Sequence, residues 1–250
     1  MNKTMILLTL IMGGLATQSC QQKTNEQTVV ETPAAESKAI ITNLTECQVR
    51  VGNLTFTHTL NGADTCITVK EGNAMEFRCT EGRDFFRDPN EGKLSNNTLP
   101  ALLMEVDNTK PFTFTAKVTP EFTSEGLYNA ADLIVFANDT LWQKLCFKQD
   151  ERGSHRIVSV RTQGTSDDNN HERIETSSVY LKLSSDTHTL ACYYSLDKKE
   201  WYMARLYKNY YPSKVWVGIA SQCPKVGTCN SLFEEISLEQ TSVGDFRTGN

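Results

Sequence analysis

The chain has 250 residues, a formal net charge of −5 and no cluster of Lys or Arg. That balance argues against nucleic acid as a partner, because neutralised phosphate supplies most of the affinity in such complexes. Eight cysteines without a CxxC or a Cys/His pair at zinc spacing exclude a structural zinc site, and no cofactor is expected.

The first residues read as an export signal. Lys3 supplies positive charge, and Met5 to Leu15 form an apolar run. Such a run is too short to span a bilayer, which takes about 20 apolar residues. The segment ends in Ala16-Thr17-Gln18-Ser19-Cys20, and a small residue directly before a cysteine is what lipoprotein processing reads. Residues 1–20 are therefore expected to be a lipoprotein signal peptide, with Cys20 lipidated. Acyl chains anchor firmly because each buried CH₂ contributes about 0.8 kcal/mol. Gln18 and Thr17 fit the strictest processing signal poorly, and an ordinary signal peptide is the alternative. The protein is thus expected in the bacterial cell envelope, periplasmic or surface-facing. Residues 21–45 read as a solvated tether, since QQKTNEQTVVETPAAESKA (21–39) contains no Gly, no aromatic and few large apolar groups to offset chain entropy.

From 46 to 240 the texture changes to period-two alternation. In PFTFTAKVT, Phe112, Phe114, Ala116 and Val118 fall on one face, opposite Thr113, Thr115 and Lys117. The pattern recurs at Leu54-Phe56, Met75-Phe77-Cys79, Leu145-Phe147, Val158-Val160, Val179-Leu181-Leu183, Leu190-Cys192-Tyr194 and Val215-Val217-Ile219. Turn clusters such as NGAD (61–64), DPNEG (88–92) and GTSDDNN (164–170) separate the runs. Short strands with turns between them predict an all-β antiparallel sandwich. LPALLMEV (99–106) comes nearest to a helix, and the tail 241–250 reads as frayed. Seven cysteines lie beyond Cys20, an odd number that leaves at least one unpaired. Cys223–Cys229, closing CPKVGTC, is the expected disulfide, while Cys146 and Cys192 suit small buried core positions.

A resemblance rests on Gly82-Arg83-Asp84-Phe85-Phe86, Pro111-Phe112-Thr113-Phe114, Ala131-Asp132-Leu133-Ile134-Val135 and Leu141-Trp142-Gln143-Lys144. It continues through Val158-Ser159-Val160-Arg161-Thr162 into Ser166-Asp167, then Tyr194-Ser195-Leu196-Asp197 with Trp201, and Val217-Gly218-Ile219-Ala220-Ser221. In this order the stretch Phe77 to Glu239 resembles the concanavalin A-like jelly-roll family of unknown function that includes the yeast "regulation of enolase" protein. The resemblance implies a jelly-roll β-sandwich. The family pattern has an acidic residue near Lys148 and an aromatic near Asp168. The chain departs at both, so a groove shared by those positions would have an altered preference.

Candidate chemistry follows from residue types. Glu105-Val106-Asp107 puts two carboxylates on one strand face, but retaining glycoside hydrolysis needs a converging pair about 5 to 5.5 Å apart. Asn108, Thr109 and Lys110 supply no third carboxylate. Asp167 to His171 offers oxygen ligands without EF-hand spacing, so no metal is expected. His58, His155, His171 and His188 form no recognisable nucleophile arrangement. Sugar recognition fits better: Trp142, Lys144 and Lys148 share the strand face opposite Leu141, Leu145 and Phe147, and Arg205 alternates with Met203 and Trp201. The candidate ligand-binding residues are Asp84, Phe86, Trp142, Lys144, Thr162, Asp167 and Arg205, with Trp142 stacking and Lys144, Asp167 and Arg205 orienting a glycan. Tyr207, Tyr210 and Tyr211 form a second candidate platform. An envelope protein-interaction module is the alternative function, and a glycoside hydrolase the third.

Overall fold

A computed structural model describes residues 41–250. The expected signal peptide, the lipidated Cys20 and residues 21–40 of the expected tether lie outside the described residues. Chain order begins with β1 (Leu44–Val51), β2 (Leu54–Leu60), β3 (Ile67–Lys70), β4 (Ala74–Thr80), β5 (Phe85–Phe86) and β6 (Asn96–Asn97). It continues through β7 (Ala101–Asp107), β8 (Phe112–Pro120), β9 (Ala130–Asn138), β10 (Leu141–Gln149), β11 (His155–Gln163) and β12 (Thr165–Arg173). The last five are β13 (Val179–Ser185), β14 (Thr189–Ser195), β15 (Tyr202–Lys208), β16 (Lys214–Gln222) and β17 (Thr228–Glu239).

Two antiparallel sheets form a sandwich. The first has the order β1-β2-β7-β16-β9-β10-β11-β12, and the second β15-β14-β13-β8-β17-β4-β3. Between them lies the main core, to which β8 contributes Phe112, Phe114, Ala116 and Val118, and β10 contributes Leu145 and Phe147. These are the inward positions that alternation predicts. Each of the larger of these side chains stabilises the fold by about 1.5–3 kcal/mol through removal from water.

A second apolar layer covers the outer face of the first sheet, where Ile134, Phe136, Trp142, Val158, Val160 and Trp216 meet Phe85 and Leu99. Both faces of that sheet are therefore buried at its centre. Strands covered on both sides read as continuous apolar runs, which explains LPALLMEV. Its near-helical appearance gives way to β7, hydrogen-bonded between β2 and β16.

Three further expectations change. The polar stretch 164–170 is no turn, because Thr165–Arg173 forms β12, the last strand of its sheet. An edge strand pairs on one side only, and its charges protect the open side from another chain. The tail 241–250 is not frayed but packs on the outer face of the second sheet, with Val243 and Phe246 against Tyr193 and Trp201. Lys182 Nζ donates to the Gly249 carbonyl at 2.8 Å, and the Tyr193 hydroxyl donates to the Phe246 carbonyl at 2.8 Å. The Cys223–Cys229 disulfide is not formed, and both carry free thiols. Cys223 follows β16 in the first sheet, whereas Cys229 lies in β17 of the second, directly opposite Cys79. The loop between them thus joins two sheets instead of two paired neighbours. Cys146 and Cys192 are buried, as their place in apolar runs suggests.

Candidate functional site

Alternate residues of β10 put Trp142, Lys144 and Cys146 on the outer face of the first sheet, beside Asp132 of β9. A segment from Gly82 to Leu99 folds over that face. Gly82 has φ of +79° with open space around it, a left-handed turn that suits glycine and brings Asp84 and Phe85 onto the sheet. Phe85 packs 5.4 Å from the ring of Trp142 and 6.1 Å from that of Phe136.

Trp142 is consequently 1 % exposed, and the expected open stacking platform is corrected to a covered floor. Lys144, only 2 % exposed, donates to Asp84 Oδ1 at 2.7 Å and to Gln222 Oε1 at 2.7 Å. Burial opposes its charge, but Asp84, Cys146 and Asp132 outweigh that and hold the ammonium above its ordinary range. Lys144 therefore orients Asp84 instead of a ligand. Thr162 is buried as well, sharing a 2.8 Å hydrogen bond with Ser166.

Asp167 and Arg205 go to the other side. Asp168 pairs with Val160 of the outer layer, so neighbouring Asp167 faces inward, where its Oδ2 accepts from Arg205 Nη1 at 3.0 Å. A bulge between Cys192 and Tyr193 puts Met203 and Arg205 on opposite faces of the sheet, opposing outer-face Tyr193 and core-facing Cys192 respectively. The Asp167–Arg205 pair joins the free edges of the two sheets, β12 and β15, and forms no part of a glycan site on the outer face.

Of the seven candidate residues, Asp84 and Phe86 line an open cleft of about 330 Å³ at one end of the outer face. Tyr128, Lys148, Glu151, Asp168 and Asn170 also line its walls, and Leu94 and Pro224 its lips. Lys148 and Asp168, the two departures from the family pattern, thus share one groove. Lys148 Nζ lies 4.9 Å from the ring of Tyr128, a cation–π contact. Tyr128 escaped the sequence analysis because it belongs to no alternating run and holds φ of +66°. Asp150 also borders the cleft. Burial pushes its carboxyl up, but the Arg152 and Ser154 N–H groups and the Arg156 guanidinium outweigh this and hold it below the ordinary range.

The other candidates are structural. Glu105 pairs with Lys214 at 2.6 Å and Asp107 with Lys110 at 3.2 Å. Tyr207 and Tyr211 join the core with hydroxyls 3.2 Å apart, and of the trio Tyr210 alone is exposed. Among the described residues no group of three or more His, Cys, Asp or Glu side chains could hold a metal ion.

Beneath the cleft lies Asp132, fully buried, with neither carboxylate oxygen hydrogen-bonded. Burial raises its pKa from 3.8 to about 6 against the pull of Lys144. The folded state therefore holds this proton more tightly than the unfolded chain, and stability declines as pH rises from about 4 through 6. A shift of that size amounts to about 3 kcal/mol. Asp132→Asn is expected to recover about 1–2 kcal/mol of it above pH 6, since its amide also lacks partners. Urea melts of both proteins from pH 4 to 8 check this, and parallel profiles would contradict it.

Solved structures share this architecture. A functionally unknown protein from Saccharomyces cerevisiae superposes with a TM-score of 0.66 at 24% identity, over 74% of this chain and 96% of that one. The GH43 protein BlXynB of Bacillus licheniformis gives 0.52 at 14% identity, over 80% of this chain and 39% of that one. The Bacteroides ovatus xyloglucan PUL GH43B gives 0.51 at 12%, over 78% and 39%. The chain thus spans about two fifths of these GH43 proteins. At such identities the likeness establishes the jelly-roll sandwich fold. No curated protein matches the chain. A family model matches residues 63–241, and the chain belongs to that family, described as "Protein of unknown function (DUF1349)".

Proposed function

We propose that this protein is a lipid-anchored module of the bacterial cell envelope whose sandwich binds carbohydrate without cleaving it. The observation that carries the reading is the cleft, where Phe86 and Tyr128 accompany Asp84, Lys148, Asp168 and Asn170. Apolar faces of sugar rings pack on aromatic side chains, while a few placed polar groups fix the hydroxyls. Asp84 is a pre-set acceptor, because the buried Lys144 ammonium holds one of its oxygens. Sandwiches of this fold within GH43 proteins add support by analogy alone. Binding without hydrolysis is supported by two of the four acids at the cleft, since Asp84 is paired with Lys144 and Asp150 with Arg156, whereas a general acid must hold a proton. Export and anchoring rest on the run ending at Cys20.

A glycan array probed with the soluble fragment beginning near Ser37 tests the reading. Phe86→Ala is expected to weaken a positive signal about tenfold, equivalent to about 1.4 kcal/mol. Silence across a broad array would overturn it. An envelope protein-interaction module is the second reading, favoured by the filled centre of the outer face and by Leu94, 71 % exposed, at the cleft lip.

A further inference from the structure

Across β12 from the cleft lies a second groove, of about 550 Å³, between the parting edges of the two sheets. His171, Glu172 and Arg173 form one wall, and Tyr194, Tyr202 and Met203 the other. Asn170 lines both grooves, so they are separated by the width of one strand. Tyr202 is 43 % exposed, and its ring stacks on that of Tyr194 at 5.3 Å and 24°. The two stand directly opposite in the β14–β15 register, and Tyr194 belongs to the inter-sheet core. Tyr202 is therefore an aromatic face held in place from behind.

We propose that the ligand is an extended glycan chain, which leaves the Phe86–Tyr128 cleft over β12 and stacks a further sugar ring on Tyr202. This rests on the glycan reading of the cleft. The cleft alone, at about 330 Å³, is near the lower limit of ligand sites, so a longer chain must continue outside it. β12 is the last strand of its sheet, so past Ser166, whose N–H donates to the Arg87 carbonyl, its outer backbone groups have no neighbouring strand and can meet hydroxyls. Its polar run from Asp167 to Arg173 resists pairing with another protein strand. The second groove suits a neutral ligand. Glu172 and Arg173 balance in charge, and burial with nearby Arg205, countered by Glu172, holds the His171 ring below its ordinary pKa. That ring shares a 3.0 Å hydrogen bond with the Ser159 hydroxyl.

Calorimetry on the purified full chain tests the extension, using mono- to hexasaccharide ladders of xylo-, cello- and malto-oligosaccharides and of any linear glycan the array selects. Affinity is expected to rise about tenfold or more between disaccharide and hexasaccharide. Tyr202→Ala is expected to erase that gain while leaving disaccharide affinity unchanged, which also certifies the fold. Tyr202→Phe, which keeps the stacking face, is expected to retain the gain. A flat ladder, or a gain that survives Tyr202→Ala, would overturn the extension and leave the cleft reading standing. Absence of binding at every length, with a silent array, would overturn both.

Discussion

Replacing Lys144 with methionine is expected to cost about 4 kcal/mol of stability, in the range seen when one partner of a buried ion pair is removed. The lysine stem sits in the outer layer of the first sheet, and methionine fills similar space. What disappears is the positive charge that Asp84 accepts from and that offsets Asp132. Gln222 loses the donor to its Oε1, while its Nε2 still donates to the Tyr128 carbonyl at 2.6 Å. Asp84, a wall residue of the cleft, is thereby released, and the Gln222 side chain that holds Tyr128 loses one of its two hydrogen bonds. Glycan affinity is expected to fall with stability, even though Lys144 touches no ligand. The triple replacement Lys144→Met, Asp84→Leu and Asp132→Asn is expected to recover most of the lost stability, since well-packed apolar groups can replace a buried ion pair at little cost. Guanidinium melts of the two variants decide the matter. A single variant within about 1 kcal/mol of the parent would mean that Asp84 reaches water without Lys144.

Gly218→Ala is expected to destabilise by about 4 kcal/mol or more, beyond the usual range of overpacking. Gly218 lies in β16 between β7 and β9, opposite Leu103 and Ile134. A methyl group there would stand 1.8 Å from the Leu102 carbonyl oxygen and 3.0 Å from Leu103 Cα. Those atoms are backbone, so no rotamer change relieves the overlap, and two central strands must separate. Glycine inside a strand often marks such a close approach. Gly153→Ala provides the contrast. It occupies an exposed turn at φ +76° with nothing near its missing side chain, and its cost is expected to be about 1–2 kcal/mol from backbone strain alone. Thermal melts should separate the two sharply, and equal losses would show that close approach is not what requires Gly218.

The strands and their faces were legible because a strand presents successive side chains to opposite sides. Phe112, Phe114, Ala116 and Val118 point to the core, and Trp142 and Lys144 point away from it, as alternation predicts. Periodicity reports which face a residue occupies and is silent about what covers that face. Trp142 became a floor because Phe85, distant in sequence, packs on it. Lys144 became a positioning group because Asp84, sixty residues earlier, meets it. Alternation also fails where a bulge inserts a residue, and that is how Arg205 parts from Met203. The polar run that became β12 carried no strand pattern, since an edge strand with solvent on both faces needs no apolar side.

The sequence alone thus determined the all-β class and the inward faces of the central strands. Tertiary structure alone decided the site. The cleft assembles Asp84, Tyr128, Lys148 and Asp168 from two separate strands and two loops, and their meeting depends on strand order and on one segment folding over a sheet. Neither leaves a local pattern, because both are set by burial between parts of the chain far apart.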